Sequence, residues 1–352
     1  MRAYIGTYTR GNSKGIYLCE QDAHSGELRI VDATFTEHPS FLALHPGGHS
    51  LYAVNETGDV NAGAMGAVSA FAVDATTGRL SFINQQSALG TAPCHLSVDR
   101  SGRCLVAANY GTGNVAAFPI RADGGLTPAS SVHQHAGGGP DPARQEGPHA
   151  HSADVTPDNA LAVVADLGLD KLMLYRLEPG AAMLTPHEPS FVSLAPGCGP
   201  RHLAFHPNGR WAYVITELAN TVIALAYDAA RQSFEVLQTV PTLPAGWTGE
   251  SYCAEICVHP SGRFVYGSNR GHDSIAIFAV DAASGMLTPA GHASTLGHWP
   301  RHFALDPAGR FCYVANERSD SIVVFRVDAA GGALTPAGHA LDVPSPVCVL
   351  FA

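Results

Sequence analysis

The feature that most limits what this chain can become is an internal repeat. A short start, an alternating apolar run, a turn carrying Pro or Gly and a second apolar run recur along its length. The copies read PSFLALHPGGHSLYAVNE from Pro39, PCHLSVDRSGRCLVAANY from Pro93 and AHSADVTPDNALAVVADL from Ala150. They continue as PRHLAFHPNGRWAYVITEL from Pro200, CAEICVHPSGRFVYGSNR from Cys253 and PRHFALDPAGRFCYVANER from Pro300, and PVCVLFA begins a seventh at Pro346. Successive starts lie 46 to 57 residues apart, the length that a four-stranded propeller blade requires.

Two more strands fit between consecutive copies, as in VSAFAVDATTGRLSFINQ and SIAIFAVDAASGMLTPAG. Their D-A-x-x-G-x-L turns place Gly where a hairpin needs positive φ. The seventh copy has one strand, and AYIGTYT, GIYLCEQD and LRIVDATF near the N-terminus supply the missing three. The expectation is an all-β, seven-bladed β-propeller of four-stranded antiparallel blades. Its C-terminal strand pairs with N-terminal strands, which removes the open edges of a linear array. No linker-like stretch interrupts the period, so residues 1–352 are read as one domain.

Composition narrows the partners. The formal net charge is −10 with 14% charged residues, which argues against nucleic acid or an anionic membrane. An anionic ligand must therefore be met by a local arginine cluster. No stretch approaches the ~20 apolar residues of a membrane span, and the N-terminus lacks the apolar run of a signal peptide. The eight cysteines are scattered without a CxxC pair, which reads as reduced core thiols in a cytoplasmic protein. A closed ring has no obligate interface, so a monomer is expected.

The repeat register selects candidate site residues. The first strand of each blade lines the axis and the second returns antiparallel, so the start of one and the end of the other share a face. Six residues before each turn stand Ser40, Cys94, His151, Arg201, Ala254 and Arg301, followed by His95, His202, Glu255 and His302 among their successors. Nine residues after it stand Asn55, Asn109, Asp166, Thr216, Asn269 and Asn316, with Glu56, Glu217, Arg270 and Glu317 among the next residues. The long connections at 57–66 and 130–148, the second ending near His149, are placed over the same mouth, where function usually lies.

Arg201, Arg270 and Arg301 suit a carboxylate or phosphate and can polarise a carbonyl. The competing reading pairs them with Glu217, Glu255 and Glu317 as a network that stitches blades. His151 is a natural general acid or base, and Glu217 or Glu255 can play that part or orient a water. His202 and His302 directly follow an arginine, so strand alternation points them away from the mouth. Arg301, His95, Glu255, Asn109, Asn269, Asn316 and His149 are the candidate substrate ligands. The pairs His133/His135 and His149/His151 invite a metal reading, but zinc needs three or four ligands of fixed geometry. No metal or other cofactor is assigned. No GxSxG elbow and no phosphate-cradling Gly loop with a following Lys is present.

GPRHLAFHPNGRWAYVITEL, WPRHFALDPAGRFCYVANER, QEGPHAHSADVTPD and the N-terminal YIGTYT resemble the seven-bladed propeller lactonase family. It includes bacterial 6-phosphogluconolactonases and fungal carboxy-cis,cis-muconate lactonising enzymes. The resemblance implies a lactone-handling enzyme acting on a small-molecule lactone, with 6-phosphogluconolactone the leading substrate. By similarity with the muconate branch, His151, Arg201, Glu217 and Arg270 occupy the positions that bind and activate substrate. A muconate-type cycloisomerase and a non-catalytic ligand- or protein-binding propeller are the alternatives.

Overall fold

A computed structural model describes residues 1–59 and 61–352. It contains seven four-stranded antiparallel sheets in a ring. The inner strands of blades 1 to 7 are Leu42–Leu44, Pro93–Val98, Ala150–Val155, Pro200–Phe205, Tyr252–Val258, Pro300–Leu305 and Pro346–Phe351. Each touches the next, and the seventh touches the first. Blade 7 is completed by Arg2–Thr7, Ile16–Gln21 and Leu28–Thr34, with Pro346–Phe351 pairing to Arg2–Thr7. The ring closes as the repeat requires.

Each second strand is sandwiched between inner strand, third strand and neighbouring blades, and in blades 1 to 6 it is buried at every position, as in Ser50–Asn55 and Trp211–Thr216. The outermost strands are largely exposed, as in Leu287–Ser294. The core therefore lies between blades: Val106 and Ala108 of blade 2 pack with Ala153 and Val164 of blade 3. Ala3 and Ile5 of blade 7 pack with Tyr313 and Val324 of blade 6. Burial of apolar surface stabilises at roughly 25 cal/mol per Å², and here it is gained only when blades stack.

Polar contacts repeat on the turn face. The Tyr213 hydroxyl donates to the Gly285 carbonyl in the hairpin of the next blade at 2.9 Å, and Tyr52, Tyr266 and Tyr313 do the same to Gly124, Gly332 and Gly26. Gly285 has φ of 75°, and a β-carbon there would collide with the Trp211 ring. It needs both the freedom and the small size of glycine.

Candidate active site

The mouth is shaped by a distortion that the alternation of the strands does not announce. In blades 2, 3, 4 and 6 the ladder between first and second strand shifts register at Cys94, His151, Arg201 and Arg301. In blade 5 the shift falls at Ala254 and Glu255. A bulge sets two consecutive side chains against one partner residue. His202 and His302 therefore join Arg201 inside the channel instead of pointing away: Arg201 Nη1 lies 3.2 Å from His202 Nε2, and both histidines reach Glu255. This corrects the alternation reading, and the recurring bulge is the reason.

Glu217, just past the second strand of blade 4, is the hub. Its Oε2 lies 3.1 Å from Arg201 Nε and 2.8 Å from an Arg270 terminal nitrogen, while Arg144 donates to Oε1. His151 Nε2 stands 3.9 Å from Oε2. Burial pushes the Glu217 pKa up, but Arg270, Arg201 and Arg144 override it and hold the group at about 2. At neutral pH it is a carboxylate with almost no appetite for a proton. Arg201 also donates to the Ala254 carbonyl at 2.7 Å, and Arg270 to the carbonyls of Tyr252 and Cys253 at 3.2 and 2.9 Å. The stitching network is thus real for these two arginines. Among the described residues, Arg201 Nη2 and Arg270 Nη1 retain no protein acceptor.

Arg144 is absent from the ring register because it belongs to the connection between blades 2 and 3. Its one sequence signal is that it is the sole arginine or lysine of 130–148. The same connection carries His149, which stacks on Tyr110 at 4.5 Å and places Nδ1 3.0 Å from the Tyr110 carbonyl. Arg301 differs from the other guanidiniums. Its nearest carboxylate oxygen, on Glu56, is 3.9 Å away, and no hydrogen-bond acceptor is within reach among the described residues.

Beneath the guanidiniums lies a layer of neutral imidazoles. Burial first, then Arg201, His202 and Arg301, hold His151 well below its ordinary range. Its Nδ1 faces the Cys94 sulfur at 3.7 Å. His202 accepts from Arg201 at Nε2, so its Nδ1–H donates to Glu255 Oε2 at 3.0 Å. The Val349 N–H donates to His302 Nδ1, leaving Nε2–H to face the same Glu255 oxygen at 3.2 Å. His95 accepts from the Ala153 N–H and packs on Phe41. Burial raises the pKa of Glu255 and pushes Asp154 up to about 7. Glu255 and His95, expected among the substrate ligands, are engaged within this layer, Glu255 by His202 and His302 and His95 by the Ala153 N–H.

The asparagines move furthest from expectation. Asn109, Asn269 and Asn316 are fully buried. Their amides donate to the carbonyls of Ala88, Thr242 and Thr295 in the segments that lead in from the preceding blade. At this position the strand is already covered by its neighbours, so the side chain closes a backbone gap. The histidine pairs also separate: His135 donates to Asp166 at 2.6 Å and His133 reaches the Leu184 carbonyl, both in the blades, while His151 lies in the channel.

The arginine-ringed carboxylate and the neutral histidine beside it form the candidate site, and comparison with known proteins shows the family it belongs to. Residues 2–351 match the family model described as Lactonase, 7-bladed beta-propeller. The chain belongs to the seven-bladed β-propeller lactonases. It is 42% identical over 349 residues to a 6-phosphogluconolactonase of Bacillus subtilis, covering 99% of this chain and 97% of that one. It is 32% identical over 309 residues to a 6-phosphogluconolactonase of Formosa agariphila, covering 86% of each. The solved structure of a periplasmic gluconolactonase from Pseudomonas aeruginosa superposes with a TM-score of 0.94 at 36% identity, covering 99% and 98% of the two chains. The propeller lactonase described here is thus an enzyme of the lactone-hydrolase class.

Proposed function

We propose that this lactonase hydrolyses a sugar-acid δ-lactone of the 6-phosphogluconolactone type, with His151 as general base and the arginines as anion and oxyanion ligands. The observation that carries the reading is the Glu217 hub. One carboxylate holds three guanidiniums in place, and among the described residues Arg201 Nη2 and Arg270 Nη1 have no acceptor.

Glu217, held at about 2, is unsuited to take a proton from water. His151 is neutral, with Nε2 towards the hub, and its proton is assigned to Nδ1, beside the Cys94 sulfur. In the proposed step a water oxygen attacks the lactone carbonyl carbon while His151 Nε2 takes one of its protons. The carbonyl oxygen becomes an oxyanion against Arg201 and Arg270, donors that the hub already orients. The intermediate then collapses, breaking the bond between carbonyl carbon and ring oxygen. His151 returns the proton to that oxygen, giving the open hydroxy acid. Glu217 lies 3.9 Å from the imidazole and stabilises the transient imidazolium. The eight free cysteines fit a reducing, cytoplasmic setting.

The test is acid release at constant pH from 6-phosphogluconolactone and from glucono-δ-lactone, with spontaneous ring opening subtracted. Turnover of either above background, retained after chelator treatment, is expected. Inertness towards both, with loss of the diene absorbance of a carboxymuconate instead, overturns hydrolysis in favour of cycloisomerisation.

A further inference from the structure

The mouth has two halves of unlike charge. Around Glu217, the guanidiniums of Arg144, Arg201 and Arg270 outnumber the carboxylate. The other half forms where the ring closes, from blades 6, 7 and 1. There the Tyr8 hydroxyl lies 3.0 Å from both Glu56 carboxylate oxygens. Arg301 sits 5.3 Å from the Tyr8 ring centre and 3.9 Å from Glu56. Arg10 lies 4.8 Å from the same ring and 3.9 Å from Glu317. Here carboxylates balance cations.

The two halves meet around the axis: the Phe41 ring packs 5.7 Å from that of His202 and 5.8 Å from that of His302, the chain neighbours of Arg201 and Arg301. Within the ring-closure half, hydrogen-bonding capacity is left over. A guanidinium offers five donors and a carboxylate about four acceptor sites. Among the described residues Arg301 has no hydrogen-bonded acceptor, and Glu56 accepts from the Tyr8 hydroxyl alone at its side chain. The side chains of Glu56 and Arg301 are 18% and 17% exposed, so both are reachable but poorly hydrated. A ligand group that only accepts, such as a second carboxylate, meets repulsion from Glu56 and Glu317. A hydroxyl both donates to Glu56 and accepts from Arg301.

We infer that Tyr8, Glu56 and Arg301 form the subsite for neighbouring hydroxyls of the lactone ring, while the reacting carbonyl and any anionic group lie on the Glu217 side. This rests on the lactonase reading above and deepens it by naming the residues that recognise the ring hydroxyls. Glu56 and Tyr8 then determine specificity, because a site built to pair with hydroxyls discriminates strongly against a substrate that lacks them.

The experiment compares glucono-δ-lactone with δ-valerolactone, the same ring without hydroxyls, on wild type, Glu56→Gln and Tyr8→Phe. The readout is the ratio of kcat/KM for the two lactones. It is expected to fall about tenfold or more in Glu56→Gln, chiefly through KM for the hydroxylated lactone, and in the same direction but less in Tyr8→Phe. Glu56→Asp, which keeps the charge, restores part of the ratio. A ratio unchanged while both activities fall together makes Glu56 a mere support for Arg301 and overturns the inference. If Glu56→Gln does not fold, Tyr8→Phe, which removes one oxygen, decides by the same ratio. Wild type inert towards both lactones defeats the lactonase reading itself, a result distinct from an unchanged ratio.

Discussion

The two faces of the ring are made by the same strands, yet they use their polar residues in opposite ways. On the turn face one contact is copied in blades 1, 4 and 5. His45, His206 and His259 each donate from Nε2 to a glycine carbonyl of the next blade, Gly102, Gly262 and Gly309, at 2.9 to 3.0 Å. At the mouth one register position carries Ser40, Cys94, His151, Arg201, Ala254 and Arg301 in turn. A contact that joins a blade only to its neighbour works equally well in every copy. A site that meets one ligand needs a different group from each direction. Repetition thus marks what holds the ring, and broken repetition marks what the ring holds.

The sharpest way to break this contrast is at Glu217, where the two roles meet. Glu217→Gln leaves three guanidiniums without their anion and is expected to cost about 3–5 kcal/mol, read by denaturant unfolding at pH 7. The sign follows from the depressed pKa. The stabilisation is fully present above about 4.5 and is lost as pH falls towards about 2, so the gap between variant and wild type narrows at pH 3. A gap that widens in acid contradicts the hub.

Arg201→Ala comes next, with lactone kcat reduced by about 10²–10³ as for loss of an oxyanion donor. Full activity in the folded variant defeats the proposed role. On the turn face, Tyr213→Phe removes one buried hydrogen bond and is expected to lower stability by about 1 kcal/mol with kcat/KM unchanged. A fall in activity there shows that the faces are coupled. The smallest expected effect is none at all. Burial and the nearby cations keep His151 in its base form, so the pH profile of kcat/KM stays flat as pH falls through 6.5. A decline centred there assigns the base to another, less perturbed histidine.

The sequence made the architecture legible because a propeller repeats its hydrophobic pattern and its turns at fixed spacing. Blade number, the closing role of Pro346–Phe351 and the convergence of His151, Arg201, Glu217 and Arg270 all follow from register. Strict alternation fails where the ladder is bulged. The bulges at Arg201 and Arg301 turned His202 and His302 inward, and a bulge leaves no mark in an alternating run of apolar residues. The same register placed Asn109, Asn269 and Asn316 at the mouth, but the packing of adjacent strands had already sealed that level.

What the sequence determined by itself was therefore the set of strands, their order in the ring and the face on which unlike residues collect. Those depend on periods of two residues and of about fifty, which a linear text carries. Only the tertiary structure decided that Arg144 reaches Glu217 from a long connection, and that Tyr8 and Glu56 meet across the closure of the ring. These groups are far apart along the chain and lie in irregular segments. Their meeting depends on how the ring closes, and no local pattern of residues encodes that distance.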